Sequence, residues 1–296
     1  MAKILITGAN GFIGHHLVSL LKDRHEIFAL VRKGPDESIS KDVRWIVQDL
    51  TKPLKYSRLP KHVNAIIHLA QSKQYKQFPE GAKDIFDINV YGTFELLEYA
   101  RKTGVERFLF ASSGGVYGYS YEKFVETDPV NPLNFYLSSK YTAELLLGNY
   151  RKFFRTIVFR FFFVYGPGQR GMLIPILINK VRRGETITIE GDPGLRINPI
   201  YVEDAVRVFE SALQLQNSDL FNVAGNEHIT ITDLVRLIEQ ALRKKAVVKH
   251  IDKDSLGDLI GDNTRMKETL KVHPTISLFE GLKKMLEELP YLHGTK

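Results

Sequence analysis

Ile4-Leu5-Ile6-Thr7-Gly8-Ala9-Asn10-Gly11-Phe12-Ile13-Gly14 decides the reading of this chain. A short apolar run ends in a turn with three glycines, and an apolar helical pattern follows at once. The run predicts a buried strand. Gly8 suits the tight turn, Gly11 lets a backbone approach a pyrophosphate, and Gly14 allows close packing of helix on strand. The free N–H groups of the helix N-terminus then point at the phosphates. The spacing is G-x-x-G-x-x-G, one residue wider than the common dinucleotide fingerprint. Such a turn is often only a turn. Its place between strand and helix is what points to a dinucleotide.

Bulk properties fit a soluble enzyme. The 296 residues suffice for one large domain or one domain with a smaller lobe. Hydrophobic residues make up 44%, enough for a substantial core. The chain has no cysteine, which excludes disulfides, thiolate metal sites and a cysteine nucleophile, and fits a cytoplasmic location. The N-terminus has one Lys before the first strand and does not read as a signal peptide. No apolar run reaches membrane-spanning length, so no membrane association is expected. The net charge of +7 raises the question of nucleic acid. The basic residues are spread along the chain, however. The densest pieces, Lys180-Val181-Arg182-Arg183 and Arg243-Lys244-Lys245, suit solvated helix ends. An anionic cofactor or substrate is the better reading. No His has a partner at metal-ligand spacing, so no metal is expected.

Strand and helix patterns alternate through the first half. Strands are predicted at Lys3–Thr7, Ile27–Val31, Arg44–Val47, Ala65–Leu69, Phe108–Ser112 and Thr156–Phe161. Helices are predicted at Phe12–Lys22, Asp84–Thr103 and Tyr136–Tyr150. This alternation predicts an α/β fold, a Rossmann-type doubly wound parallel sheet covered on both faces. Ligands of such sheets bind beyond the carboxyl ends of the strands. The glycine turn, Arg32, Asp49, Ala70 and Ser113 fall at those ends. Beyond about residue 165 the pattern loosens. Helices at Leu173–Arg183, Tyr201–Leu215, Ile231–Arg243 and Leu278–Glu288, and strands at Thr186–Glu190 and Leu220–Val223, suggest a smaller mixed α/β lobe. The division expected is residues 1–165 for the dinucleotide and 166–296 mainly for substrate, with some segments returning to the sheet.

Tyr136-Leu137-Ser138-Ser139-Lys140 places Tyr and Lys four apart at a helix start, on one face. An ammonium near a phenol favours the phenolate and lowers the Tyr pKa. That would prepare Tyr136 to exchange a proton while a nicotinamide moves a hydride. Ser112-Ser113-Gly114-Gly115-Val116-Tyr117-Gly118 follows a strand, and a Ser there can bond the substrate oxygen. Alone, each pattern is also an ordinary surface pair or a Ser/Gly loop.

Together, in this order, they resemble an extended short-chain dehydrogenase/reductase, the family of NAD-dependent nucleotide-sugar epimerases and dehydratases. Thr7–Gly14 matches its T-G-x-x-G-F-I-G, Asp49-Leu50 its adenine-contacting pair, His68-Leu69-Ala70 its H-L-A, and Asn89–Thr93 its N-V-x-G-T. Ser112–Gly118 matches S-S-x-x-V-Y-G, and Pro129–Lys140 matches P-x-x-P-x-x-x-Y-x-x-x-K. Arg160–Pro167 resembles R-x-x-N-V-Y-G-P, and Tyr201–Asp204 resembles Y-V-D-D. The resemblance implies Ser113, Tyr136 and Lys140 as catalytic residues, with Lys140 also on the ribose. It implies Gly8, Gly11, Phe12, Ile13, Gly14, Asp49, Leu50, Leu69, Ala70, Gln71 and Asn89 as further cofactor positions. It also implies a homodimer through the helices Asp84–Thr103 and Tyr136–Tyr150.

Departures from the pattern narrow the reaction. The 4,6-dehydratases carry Asp and Glu after the catalytic Ser/Thr, where this chain has Gly114 and Gly115. Proton transfer at a second carbon is thereby disfavoured. No Asp stands near Val31 to take a ribose 2′-hydroxyl, and Arg32 suits a 2′-phosphate, so NADP is favoured over NAD. On the substrate side the family Asn is Phe163. The diphosphate Arg falls on Ile197, one place after Arg196. The Arg-x-x-Gly-Asp element is reduced to Leu256-Gly257-Asp258, with Asp254 and Ser255 where the Arg is sought. Arg196, Arg170 and Arg265 are the possible replacements. The tract Phe161-Phe162-Phe163 also suits a buried strand, with Phe161 as core. The expected activity is an NAD(P)-dependent epimerase or 4-ketoreductase of a nucleotide-sugar. Rival readings are an NADPH-dependent reductase of a non-nucleotide ketone and, from another class, a dinucleotide-sensing or scaffold protein. An intact Ser113, Tyr136 and Lys140 argues against a sensor.

Overall fold

The computed structural model describes residues 1–34, 43–253 and 257–288. In chain order the elements of the first half are β1 (Lys3–Thr7), α1 (Phe12–Leu21), β2 (Glu26–Val31), β3 (Arg44–Val47), β4 (Ala65–His68), α2 (Ala82–Phe86), α3 (Gly92–Thr103), β5 (Arg107–Ser113), α4 (Phe135–Tyr150) and β6 (Arg155–Phe161). There follow β7 (Val164–Tyr165), α5 (Leu173–Arg183), β8 (Thr186–Glu190), β9 (Arg196–Ile197), β10 (Ile200–Tyr201), α6 (Val202–Ala212) and β11 (Asp219–Val223). The chain closes with β12 (Ile229–Thr230), α7 (Ile231–Leu242), β13 (Val247–Ile251), α8 (Thr264–Thr269) and α9 (Leu278–Glu288).

Seven parallel strands form one sheet in the order β11-β6-β5-β4-β1-β2-β3. Six of them follow the Rossmann order, with β11 added at one edge. Side chains alternate across the sheet. Ile4, Ile6, Ile67, Leu109 and Phe159 pack with α1 and α6 through Leu17, Val18, Leu21, Val208 and Phe209. Leu5, Ile66, Phe108, Phe110 and Val158 pack with α3 and α4 through Leu96, Leu97, Ala100, Ala143 and Leu147. The inner strands β1, β2, β4, β5 and β6 are thus buried on both faces, which is why they read as continuous apolar runs. A separate cluster joins α5, α7, α9, β8 and β10, around Ile174, Ile178, Ile187, Ile189, Ile238 and Leu282.

Two predicted elements differ in a way that matters for the site. The helix expected over Asp84–Thr103 is interrupted by a π turn at Asp87–Tyr91, where Gly92 N–H donates to Asp87 O. The wide turn carries Asn89, whose side chain ties three segments together. The helix expected from Tyr201 begins at Val202 and ends at Ala212. Tyr201 instead pairs in β10 with β7 and sets its ring edge-on to Tyr165, centroids 5.7 Å apart. Beyond residue 165 the chain returns to the sheet twice, since α6 packs on α1 and β11 pairs with β6. Among the described residues no helix is long and apolar enough to cross a membrane.

Candidate active site

β1 and β4 are neighbours, and the strand order runs outward from them in both directions. At this reversal the carboxyl ends of the strands open into a cavity of about 840 Å³. Its wall contains Gly8, Gly11, Phe12, Ile13 and Gly14 from the glycine turn, and Arg32 and Lys33 from the end of β2. Asp49 and Leu50 follow from the end of β3, and Leu69, Ala70 and Gln71 from the end of β4. Gly8 sits at φ 69°, and a Cβ there would lie 2.9 Å from Ala70 N. A Cβ on Gly14 would overlap the Gly8 carbonyl oxygen and the Ala9 backbone. Helix and strand are therefore as close as backbones permit. No side chain caps α1, and its first turn has no acidic residue. Its N–H groups are left for an anion, and the residues present fit a dinucleotide pyrophosphate.

The chemistry-bearing residues meet on the other side of the cavity. Ser113 ends β5, and its Oγ accepts from Gly115 N at 3.2 Å. Tyr136 lies in the first turn of α4, which is capped by Asn134 Oδ1 accepting from Leu137 N at 2.9 Å. Ser113 and Tyr136 both line the cavity. Lys140, one turn on, is buried beneath them, and its Nζ donates to Ala111 O at 2.8 Å. Burial lowers its pKa to about 7, against the opposing charge of Glu144. Tyr136 Oη donates to Gln71 Oε1 at 2.9 Å. Its phenol is pushed above the ordinary tyrosine value by burial and then by the nearby Tyr75, with the Gln71 bond opposing. The net direction in the protein alone is opposite to the lowering expected from Lys140. The ammonium is turned to a carbonyl rather than to the phenol.

A buried hydrogen-bonded frame holds these parts. Asn89 Oδ1 accepts from Ser72 N at 3.0 Å, its Nδ2 donates to Ser139 Oγ at 2.9 Å, and Ser139 Oγ donates to Tyr136 O at 2.7 Å. Asn89 thus lies behind the cavity wall rather than on it. His68 is fully buried between Thr7 Oγ1 at 2.6 Å and Thr93 Oγ1 at 2.9 Å. Thr93 donates to Asn89 O at 2.7 Å, so it must accept from His68 Nε2–H, and Nδ1 must accept from Thr7. Burial, and then Lys140, hold its pKa down at about 3, so the imidazole is neutral. Glu144 continues the face of Tyr136 and Lys140. It bonds Ser112 Oγ and takes Arg160 through Nη2 at 2.6 Å and Nε at 3.2 Å.

The far end of the cavity is lined by Lys73, Tyr75, Phe162, Phe163, Gln169, Arg170 and Met172. Phe163 has φ 48°, a backbone conformation Asn tolerates and bulky residues rarely adopt. Phe161 is buried in the first core cluster. A Cβ on Gly114 would come within 2.6 Å of the Phe162 ring, so no acidic side chain fits there. Arg170 is on the cavity wall, but Arg196 is not. The Arg196 guanidinium is held by Asp258, at 2.7 Å from Nε and 2.6 Å from Nη2. Ile197 is core. Arg265 pairs with Asp219 at 2.6 Å and lies over Phe221. Asp254, Ser255 and Leu256 fall outside the described residues. Among the described residues no group of three or more His, Cys, Asp or Glu is placed to hold a metal ion.

Several residues of the site escaped sequence reasoning. Lys73, Tyr75 and Met172 sit in loops that carry no periodic signal. Glu144 did carry one, since it stands four residues after Lys140 and eight after Tyr136.

A parallel sheet with a glycine turn at its reversal and a Ser/Tyr/Lys set across the cleft defines a nicotinamide-dependent enzyme of the short-chain dehydrogenase/reductase type. Residues 4–224 match the model of the NAD dependent epimerase/dehydratase family, and the chain belongs to that family. It is 30% identical to a putative UDP-glucose 4-epimerase of Methanocaldococcus jannaschii, over 96% of this chain and 97% of that one. It is also 30% identical to a dTDP-4-dehydro-6-deoxyglucose reductase of Escherichia coli, over 97% of each. Among solved structures, it superposes with a TM-score of 0.88 on the UDP-glucuronic acid 4-epimerase of Bacillus cereus, in complex with UDP-glucuronic acid and NAD. That match has 25% identity and covers 98% of this chain and 100% of the other.

Proposed function

We propose that the enzyme is an NAD(P)-dependent nucleotide-sugar epimerase or 4-ketoreductase, with Tyr136 as acid/base at one sugar carbon. One observation carries the reading. A single cavity joins the glycine turn to Ser113 and Tyr136, while Phe162 excludes a side chain at Gly114. A bound nicotinamide would supply the hydride acceptor and donor. Tyr136 takes the hydroxyl proton from the sugar or gives it back, and Ser113 holds the same oxygen. Lys140 would hold the ribose of a bound dinucleotide, for which its Nζ would have to leave Ala111 O. With glycine at both 114 and 115, neither position has a side chain to move a second proton, which disfavours a 4,6-elimination of the family's kind. Relatives named as an epimerase and as a 4-keto-sugar reductase bracket the two outcomes.

The diphosphate must meet positive charge, because two buried anionic groups left unpaired are very costly. Arg170, on the cavity wall, is the stronger choice. Arg196 would first have to leave Asp258. NADP is the preferred cofactor in this reading, supported by Arg32 and Lys33 on the wall where a ribose-binding carboxylate is missing. The Bacillus cereus protein, in contrast, holds NAD. Residues 1–165 serve the dinucleotide and 166–296 mainly the substrate. A cytoplasmic homodimer completes the proposal, with Phe94 of α3 and Leu145 of α4 exposed at 40% and 55% on the helices that would pair. A second reading, reduction of a non-nucleotide ketone by NADPH, is favoured by Phe163 and by the Arg196–Asp258 pair. Calorimetric titration with UDP, GDP, CDP and dTDP separates them. Binding of one supports the nucleotide-sugar, and binding of none supports the second reading.

A further inference from the structure

The phenol of Tyr136 meets the carboxamide of Gln71, not an ammonium. The contact is set up with care. Ala70 N donates to Thr7 Oγ1 at 3.2 Å on one side of Gln71, and Ser72 N donates to Asn89 Oδ1 at 3.0 Å on the other. The same Asn89 reaches Tyr136 O through Ser139 Oγ. One buried amide therefore fixes the backbones of both partners, while the Gln71 side chain stays exposed to the cavity.

A carboxamide has both an acceptor and a donor end. A phenol must donate, and a phenolate can only accept. We propose that Gln71 is a positioning residue for Tyr136 that serves both protonation states. Its Oε1 accepts from the phenol, and a half-turn about Cγ–Cδ lets Nε2 donate to the phenolate. The inference rests on the acid/base reading of Tyr136. The balance is simple: a proton leaves the substrate hydroxyl for the phenolate oxygen, the Nε2–H···O bond is given up, and the O–H···Oε1 bond replaces it. Two other groups near the phenol are engaged elsewhere. Tyr75 presents its ring, 5.4 Å away centroid to centroid, and its hydroxyl is on Met172 Sδ at 2.9 Å. Lys140 is on Ala111 O. Lys73, Arg170 and Ser113 share the cavity wall, and Arg32, Lys33 and Asp49 stand at the ends of β2 and β3.

The test needs no substrate. 3,5-Difluorotyrosine is placed at residue 136, its ring fluorines bringing ionisation into an accessible range, and its ¹⁹F resonances are followed against pH. The backgrounds are wild type, Gln71→Leu and Gln71→Glu. A bond to the phenolate is charge-assisted and stronger than one to the phenol. Gln71→Leu should therefore raise the midpoint by about half to one pH unit. Gln71→Glu can accept but not donate, and should raise it further. A midpoint that falls or stays in Gln71→Leu overturns the proposal, as does one unmoved in Gln71→Glu. Melting temperatures should stay level, because Gln71 is exposed. Absence of nucleotide binding would sink the substrate reading and leave this result standing.

Discussion

Lys140→Met should stabilise the protein at pH 6 while destroying its activity. The Lys140 ammonium is buried, and its pKa falls from 10.5 to about 7. Between those values the unfolded chain holds a proton that the folded chain has released. Stability therefore rises with pH across that window, and below about pH 7 the full cost of the buried charge is present. At about 1.4 kcal/mol per pH unit the cost is at most about 5 kcal/mol. Methionine removes the charge and keeps most of the volume. It also leaves the Ala111 carbonyl without its donor, which costs about 1–3 kcal/mol. The net gain at pH 6 is then at most about 2–4 kcal/mol, or about 3–6 °C in melting temperature for a chain of 296 residues. Thermal melts of both proteins without dinucleotide, from pH 6 to 10, check this. The gap should close and reverse as the pH approaches 10, where only the lost hydrogen bond remains. A variant less stable than wild type at pH 6, or a gap independent of pH, would refute the buried-charge argument.

Tyr136→Phe should lower turnover by about 10²–10⁴-fold with dinucleotide affinity unchanged, measured by steady-state kinetics and calorimetry. Arg32→Ala should weaken NADP(H) by about ten- to a hundredfold and NAD(H) little, in paired calorimetric titrations. Equal effects would remove Arg32 from cofactor choice. Gly14→Ala forces a methyl group into the Gly8 carbonyl. It should cost about 1–3 kcal/mol in chemical denaturation and weaken dinucleotide binding as well.

The sheet was legible because both its faces are buried. Runs such as Ile4-Leu5-Ile6 and Phe108-Leu109-Phe110 have no polar position to obscure them. The glycine turn was legible because only glycine fits at Gly8 and Gly14. The short pairs β7–β10 and β9–β12 were not, since two-residue strands have no period to detect. Nor was the π turn at Asp87–Tyr91, whose cause is the tertiary bonding of Asn89. At the site, Tyr136 and Lys140 could be placed on one face from their spacing. Their separate bonding, to Gln71 in the loop after β4 and to Ala111 O in β5, depends on distant segments that meet them. Arg196 illustrates the limit: the motif count set it beside a substrate diphosphate, but in the fold its guanidinium is held by Asp258.

The central claim is hydride transfer at one carbon of a nucleotide-linked sugar. The most direct measurement incubates the enzyme and oxidised NAD or NADP with UDP-, dTDP-, GDP- and CDP-hexoses deuterated at C4, and weighs the recovered dinucleotide by mass spectrometry. The account predicts, with at least one of these sugars, either a gain of one deuterium in the dinucleotide or a C4 epimer that keeps its deuterium, both lost in Tyr136→Phe. Unlabelled dinucleotide and unchanged sugar in every case, beside label taken from a simple secondary alcohol, would contradict it.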